Sequence, residues 1–101
     1  MGELHDWLID QHHGLRTYRA FHQKADQLAQ RDSRHRALYR MLALIVTDYI
    51  DAYDDQPLPV DVAEAAFDRL LGVVSAAENS LQAPVADQIV TLNRIAEARL
   101  F

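Results

Sequence analysis

The chain of 101 residues contains no cysteine. This one absence excludes disulfide staples, thiolate metal sites, iron–sulfur clusters and a cysteine nucleophile, and it fits a reducing, cytoplasmic setting. Glycine and proline are scarce, with three of each, so few positions interrupt regular backbone. No long apolar run is present. "MLALIV" at 41–46 falls far below the roughly 20 residues a membrane span needs, and the opening "MGELHDWLIDQHHG" carries Glu3 and Asp6 where a secretory signal needs a basic region. Positive charge is short as well. A net charge of −5 argues against general nucleic-acid binding, because a phosphate backbone demands clustered cations.

What is present is apolar residue at helical spacing. Half of the chain is hydrophobic, enough for a core in one small domain, residues 1–101. Strict alternation occurs nowhere, so no strand is expected. Leu4, Leu8 and Leu15 start one stripe, and Tyr18, Phe21, Ala25 and Leu28 continue it with an offset near Gly14. These predict a first helix over 3–31 with a break or bend at Gly14. "RDSRH" offers Asp32 or Ser33 as a cap before a second helix over 34–53, which carries Leu38, Leu42, Ile45 and Tyr49 beside Met41, Val46, Ile50 and Tyr53. Its apolar arc is the widest in the chain, so it is expected to lie centrally.

"DDQPLPV" then breaks the pattern, since proline favours extended backbone around it. Asp61 followed by Glu64 resembles a capping box at the start of a third helix over 61–78, which buries Ala63, Phe67, Leu70, Val74 and Ala77. Pro84 opens a fourth over 84–101, with Val85, Ile89, Leu92 and Ala96 as its packed stripe. Short connections make consecutive helices antiparallel. The expected fold is therefore all-α, a single-domain antiparallel four-helix bundle, or a three-helix bundle with a long or bent first helix.

The five histidines, His5, His12, His13, His22 and His35, all lie in the first 35 residues. If the first helix runs unbroken, Glu3, Asp6, Asp10 and His13 share one face opposite Leu4 and Leu8. Such a stripe offers cation ligands, but ligands along one helix lie in a line, and tight sites converge from two or more helices. The plainer reading is a solvated polar face that complements the positive helix N-terminus. His22 falls beside Ala25 at the core edge, where a bond to a carbonyl or carboxylate is expected. A metal site, as the alternative, would draw on Asp10, His12, His13 and His22. "FHQK" places Lys24 two residues after His22, the wrong spacing for a histidine phosphotransfer site, and none of the serines sits in a strand-to-helix elbow. No cofactor and no catalytic set is expected.

"HDWLIDQHHGLR" resembles the opening helix of hemerythrin-like, HHE-type cation-binding bundles. "LIVTDYIDAYDDQPLP" followed by "AFDRLL" is similar to that family's second helix and the proline-containing turn after it, so the resemblance covers roughly residues 4–71. Only His12 or His13 matches a ligand position. Pro57, Leu58, Pro59 and Asp61 stand where the family's turn has His-His-Pro and an acid, and the later histidine and glutamate ligands have no counterpart. The resemblance thus implies a helical bundle whose diiron or oxygen-binding activity is lost, with a metal-binding or oxygen-sensing bundle as the alternative function.

Charge is distributed unevenly. Arg16, Arg19, Lys24, Arg31, Arg34, Arg36 and Arg40 face only Asp26 and Asp32 within 16–40, whereas 41–101 holds three arginines against ten acids. The second helix is charged against its dipole, with Arg34 and Arg36 at its positive end and Asp51, Asp54 and Asp55 at its negative one. The span from Arg36 to Asp51 is about 22 Å, more than two Debye lengths at physiological salt. An acidic pole is expected from Asp48, Asp51, Asp54, Asp55 and Asp61, with Glu64 and Asp68 beside it. Opposite stands a basic group of Arg34, Arg36 and Arg40. Two such poles suit docking and steer association. The expected function is a non-enzymatic, cytoplasmic protein-interaction module, such as an adaptor, inhibitor, immunity or regulatory factor. Its partner is another protein or a second copy, with no role for nucleic acid or membrane. An enzyme acting on a small dianion would instead require Arg16, Arg19 or Arg40 to face inward.

Overall fold

Leucines one turn apart anchor the first element: Leu4 and Leu8 are both buried in α1 (Glu3–Leu8). The computed structural model describes residues 2–101. After α1 come α2 (Leu15–Arg31), a single 3-10 turn at Ser33–His35, α3 (Arg36–Tyr53), α4 (Val60–Ser80) and α5 (Val85–Glu97). Among the described residues the fold is all-helical, without a strand. No helix is long and apolar enough to cross a membrane. The radius of gyration is 13.1 Å, against about 13 Å for a compact chain of this length.

The first helix is not one bent rod. Residues 9–14 leave the helix altogether, and Gly14 resumes it as an extended N-cap of α2. The Gln11 amide reaches back to the Trp7 carbonyl at 3.1 Å and satisfies part of the C-terminal end of α1. The His13 ring stacks on Phe67, with centroids 3.9 Å apart, which fixes the link against α4. Lys24 lies over the Trp7 ring, 5.1 Å from its centroid, and ties α1 to α2.

Gly2, the N-cap of α1, has no side chain to cap with. The Glu78 carboxylate, near the end of α4, takes that role from across the fold. It accepts from the backbone N–H of Leu4 at 3.0 Å and of His5 at 3.3 Å, the donors an N-cap side chain ordinarily satisfies. A Cβ at Gly2 would run into this carboxylate. Any larger residue there would therefore push the Glu78 side chain aside.

Helix α3 runs back along α2, as the Asp26–Arg40 and Arg19–Asp54 pairs across the two helices require. Between them Leu28, Ala25, Phe21 and Tyr18 meet Leu38, Leu42, Ile45, Val46 and Tyr49, all buried as the spacing predicts. Helix α3 also packs on α5, α4 on α5, and α1 on both α2 and α4. The predicted core positions of α4, from Ala63 to Ala77, are buried.

The caps differ from expectation. Pro59 is the N-cap of α4 and Asp61 lies inside its first turn, so the Asp61–Glu64 pair forms no capping box. Pro84 is the N-cap of α5. Asp32 does cap, accepting from the His35 backbone N–H at 3.2 Å. Helix α5 buries only part of the stripe predicted for it: Leu92 packs against the core, but the other three positions do not. Its one buried residue is Ile95, while Val85 and Ile89 are 65% and 54% exposed and Ala96 is exposed. Ile95 lies three residues beyond Leu92, and the polar Gln88 and Thr91 on its flank are half-buried. The helix stops at Glu97, and the chain then folds back, burying Leu100, whose carbonyl accepts from Arg69 Nη1 at 3.0 Å.

Tyr18 and Tyr49 are both fully buried, with ring centroids 4.5 Å apart. Their hydroxyls lie close to each other, yet neither makes a hydrogen bond of regular geometry. Burial, and secondarily the neighbouring Tyr49, pushes the Tyr18 phenol far above its ordinary range. Tyr49 is raised by the same desolvation.

Candidate docking surface

Alternation of buried and exposed positions along α3 puts one apolar side against α2 and α5 and turns a polar side outward. Arg36, Arg40, Leu44, Asp48 and Asp51 lie on the outward side, with Leu44 at its middle and 53% exposed. Arg34 precedes them in the 3-10 turn, Asp54 is the C-cap of α3, Asp55 follows in left-handed backbone at φ 60°, and Asp61 sits in the first turn of α4. All eight charged residues expected to dock a partner are exposed.

Several are engaged within the protein. Arg19 at the start of α2 pairs with Asp54 at 2.9 Å, and Arg40 lies 3.6 Å from Asp26. Arg36 donates from Nε to the Ala29 carbonyl at 2.9 Å, one of the orphan carbonyls at the end of α2. This explains the reversed charging of α3. Its arginine end serves the negative end of α2, and its acidic end meets the basic start of α2. The poles that cannot reach each other along α3 are balanced across the hairpin. Exposed pairs of this kind are each worth about 0–1 kcal/mol, so they order the surface more than they hold the fold.

The side chains of Arg34, Asp48 and Asp51 make no ion pair or hydrogen bond among the described residues. Arg34 stands beside a small cavity of about 120 Å³ walled by His35, Leu38, Val85, Ile89 and Leu92. His35 Nδ1 lies 2.8 Å from Asp32 Oδ2; a carboxylate only accepts, so Nδ1 carries the proton. That bond is the main reason the Asp32 carboxyl is held below the ordinary range, with the backbone N–H groups of His35 and Arg34 adding to it. His35 Nε2 is buried without a partner.

The alternative metal residues do not share a face. Asp10, His12 and His13 fall in the link after α1 and are exposed, so the stripe expected along an unbroken first helix does not form. His22 is half-buried on α2 with Nδ1 3.5 Å from Asp26 Oδ2, the core-edge carboxylate neighbour expected for it. Among the described residues no three histidine, aspartate or glutamate side chains form a group that could hold a metal ion. Arg16, Arg19 and Arg40 are exposed, so none lines an inward anion pocket.

The residue that sequence reasoning missed is Glu78. It was one acid among ten in an acidic stretch, and only its position opposite Gly2 marks it as a tether. Comparison of the chain with protein-family models, with curated proteins and with solved structures gave no match.

Proposed function

We propose that the protein is a small helical interaction module, acting in the cytoplasm as an adaptor, inhibitor, immunity or regulatory factor, that binds another protein through the outward side of α3. The observation that carries this reading is the pattern along that side: an exposed Leu44 between unpaired Arg34 at one end and unpaired Asp48 and Asp51 at the other. An apolar centre with charged surroundings is the anatomy of a docking patch. Charges of both signs on one face read a complementary partner and set its orientation. The scaffold in this reading is an antiparallel four-helix bundle of α2, α3, α4 and α5, with α1 closing one side. The packing of α2 on α3, α3 on α5 and α4 on α5 supports it.

The test uses variants that disturb no internal contact: Arg34→Glu, Asp48→Arg with Asp51→Arg, and Leu44→Ala. A partner captured from the native host is purified and titrated against each. Loss of tenfold or more in affinity with either charge variant, about 1.4 kcal/mol, and a steeper loss with Leu44→Ala are the expected results. Unchanged binding in all three refutes docking on this face. Light scattering decides whether the partner is a second copy, which would give twice the 11.5 kDa chain mass.

A further inference from the structure

The last 61 residues hold ten acids but only three cations, Arg69, Arg94 and Arg99. All three line one cleft between α4 and α5, away from the outward side of α3. The cleft measures about 330 Å³, at the lower end of the range for small-ligand pockets. No aspartate or glutamate lines it, although acids outnumber cations throughout this part of the chain. Its floor is apolar, formed by Val73 and Ala76 of α4 with Ile95 of α5 and Ala98 just past its end.

The cleft exists because small side chains face one another there. Gly72 stands on its α4 wall, and a Cβ added at Gly72 meets nothing within 4 Å. Glycine inside a helix costs about 1 kcal/mol relative to alanine, and neither left-handed backbone nor a close neighbour demands one at this position. What the missing side chain leaves is open space on the cleft wall. Arg69 is held in place by its 3.0 Å bond to the Leu100 carbonyl. Arg94 and Arg99 are exposed and make no ion pair among the described residues. Three like charges gathered on one cleft repel one another, and a bound anion relieves that repulsion. Arginine suits the role, since its planar fork pairs bidentately with carboxylate and phosphate.

We infer that the α4–α5 cleft binds a small amphipathic organic anion, with its carboxylate or phosphate head among Arg69, Arg94 and Arg99 and its hydrocarbon body on the apolar floor beside Gly72. The two head groups share the chemistry that the arginines read, and the hydrocarbon distinguishes such a ligand from a free inorganic ion.

The full chain, isotope-labelled, is titrated with decanoate and with decyl phosphate below their micellar concentrations while the amide signals of Gly72, Ala76 and Ala98 are followed. Saturable one-site shifts with either anion are expected, and the tighter of the two assigns the head. Binding should weaken at least tenfold in the Arg94→Ala/Arg99→Ala double variant and vanish in Gly72→Leu, which fills the cleft. Both variants should keep the fold, because these arginines hold nothing and leucine is the better helix former. Failure of both anions to saturate overturns the inference, as does wild-type affinity in the double variant. Decanol binding as tightly as the anions, or inorganic phosphate as tightly as decyl phosphate, overturns it equally.

Discussion

Replacing Glu78 by alanine should loosen α1 from the rest of the protein. The carboxylate accepts from two backbone N–H groups, at 3.0 and 3.3 Å, at the start of a helix of six residues that has no cap of its own. Loss of a side-chain N-cap costs about 0.5–2 kcal/mol, and hydrogen bonds to a charged acceptor lie towards the upper end of such ranges. The site is partly buried, so water restores only part of what the freed donors lose. A cost of about 2 kcal/mol follows, which is a fall of roughly 10 °C in Tm for a domain of this size. Glu78→Gln retains a neutral acceptor and should lose about half as much. Urea melts followed by circular dichroism give the stability, and hydrogen exchange gives the location. The amides of residues 4–9 should exchange faster by more than the global change explains, because α1 opens while Leu4 and Leu8 still favour docking. If Glu78→Ala lies within about 0.5 kcal/mol of wild type and the Leu4 and His5 amides keep their protection, the tether contributes nothing and the argument fails.

Tyr18→Phe and Tyr49→Phe should each be neutral to stabilising, by up to about 1 kcal/mol, since each removes a buried hydroxyl without a hydrogen bond of regular geometry. In a double-mutant cycle the two should add; single losses above about 1 kcal/mol with a coupling of similar size would show that the hydroxyls are bonded to each other. Desolvation raises Tyr18, Tyr39 and Tyr49 above their ordinary pKa of 10.0. The stability linked to their protonated form is therefore fully present below that value and is lost as pH rises above it, so phenolate absorbance from these three should appear together with alkaline unfolding. Asp32 is shifted the other way, below 3.8, chiefly by His35. Its contribution is present above that value and is lost as pH falls through the lower folded one, so Asp32→Asn should flatten the acid limb of the stability curve in a pH series of urea melts.

The parts of this fold legible in the sequence are those where one apolar stripe had a single possible partner. Tyr18, Phe21, Ala25 and Leu28 could face only one way, as could Phe67, Leu70, Val74 and Ala77, and all are buried. Helix α5 was read only in part, because periodicity does not say how deep each position of a stripe sits. Of 85-89-92-96 only Leu92 packs against the core, and the buried position, Ile95, lies beside that stripe next to the polar, half-buried Gln88 and Thr91. The length of α1 was misread for a related reason. Asp10, His12 and His13 fit a polar helical face, but the backbone leaves the helix so that Gln11 can reach the Trp7 carbonyl and His13 can stack on Phe67. Contacts distant in sequence leave no local signal, and the bond from Glu78 to α1 spans 74 positions.

The charges show how far a sequence can mislead about its own purpose. Taken alone, α3 is charged against its dipole, and every such placement calls for an outside partner. With α2 beside it, Arg36 satisfies an Ala29 carbonyl and Asp54 meets Arg19, so part of the pattern serves the hairpin itself. Subtracting those internal uses narrows the surface that a partner has to explain. On α3 it narrows to Arg34, Asp48 and Asp51 around Leu44. Between α4 and α5 the scarcity of cations makes their gathering informative, because the three arginines of a segment with ten acids line a single cleft. Arg94 and Arg99 stand on a cleft that no acid lines. Charges left unpaired where pairing was available mark the places at which this fold meets something other than itself.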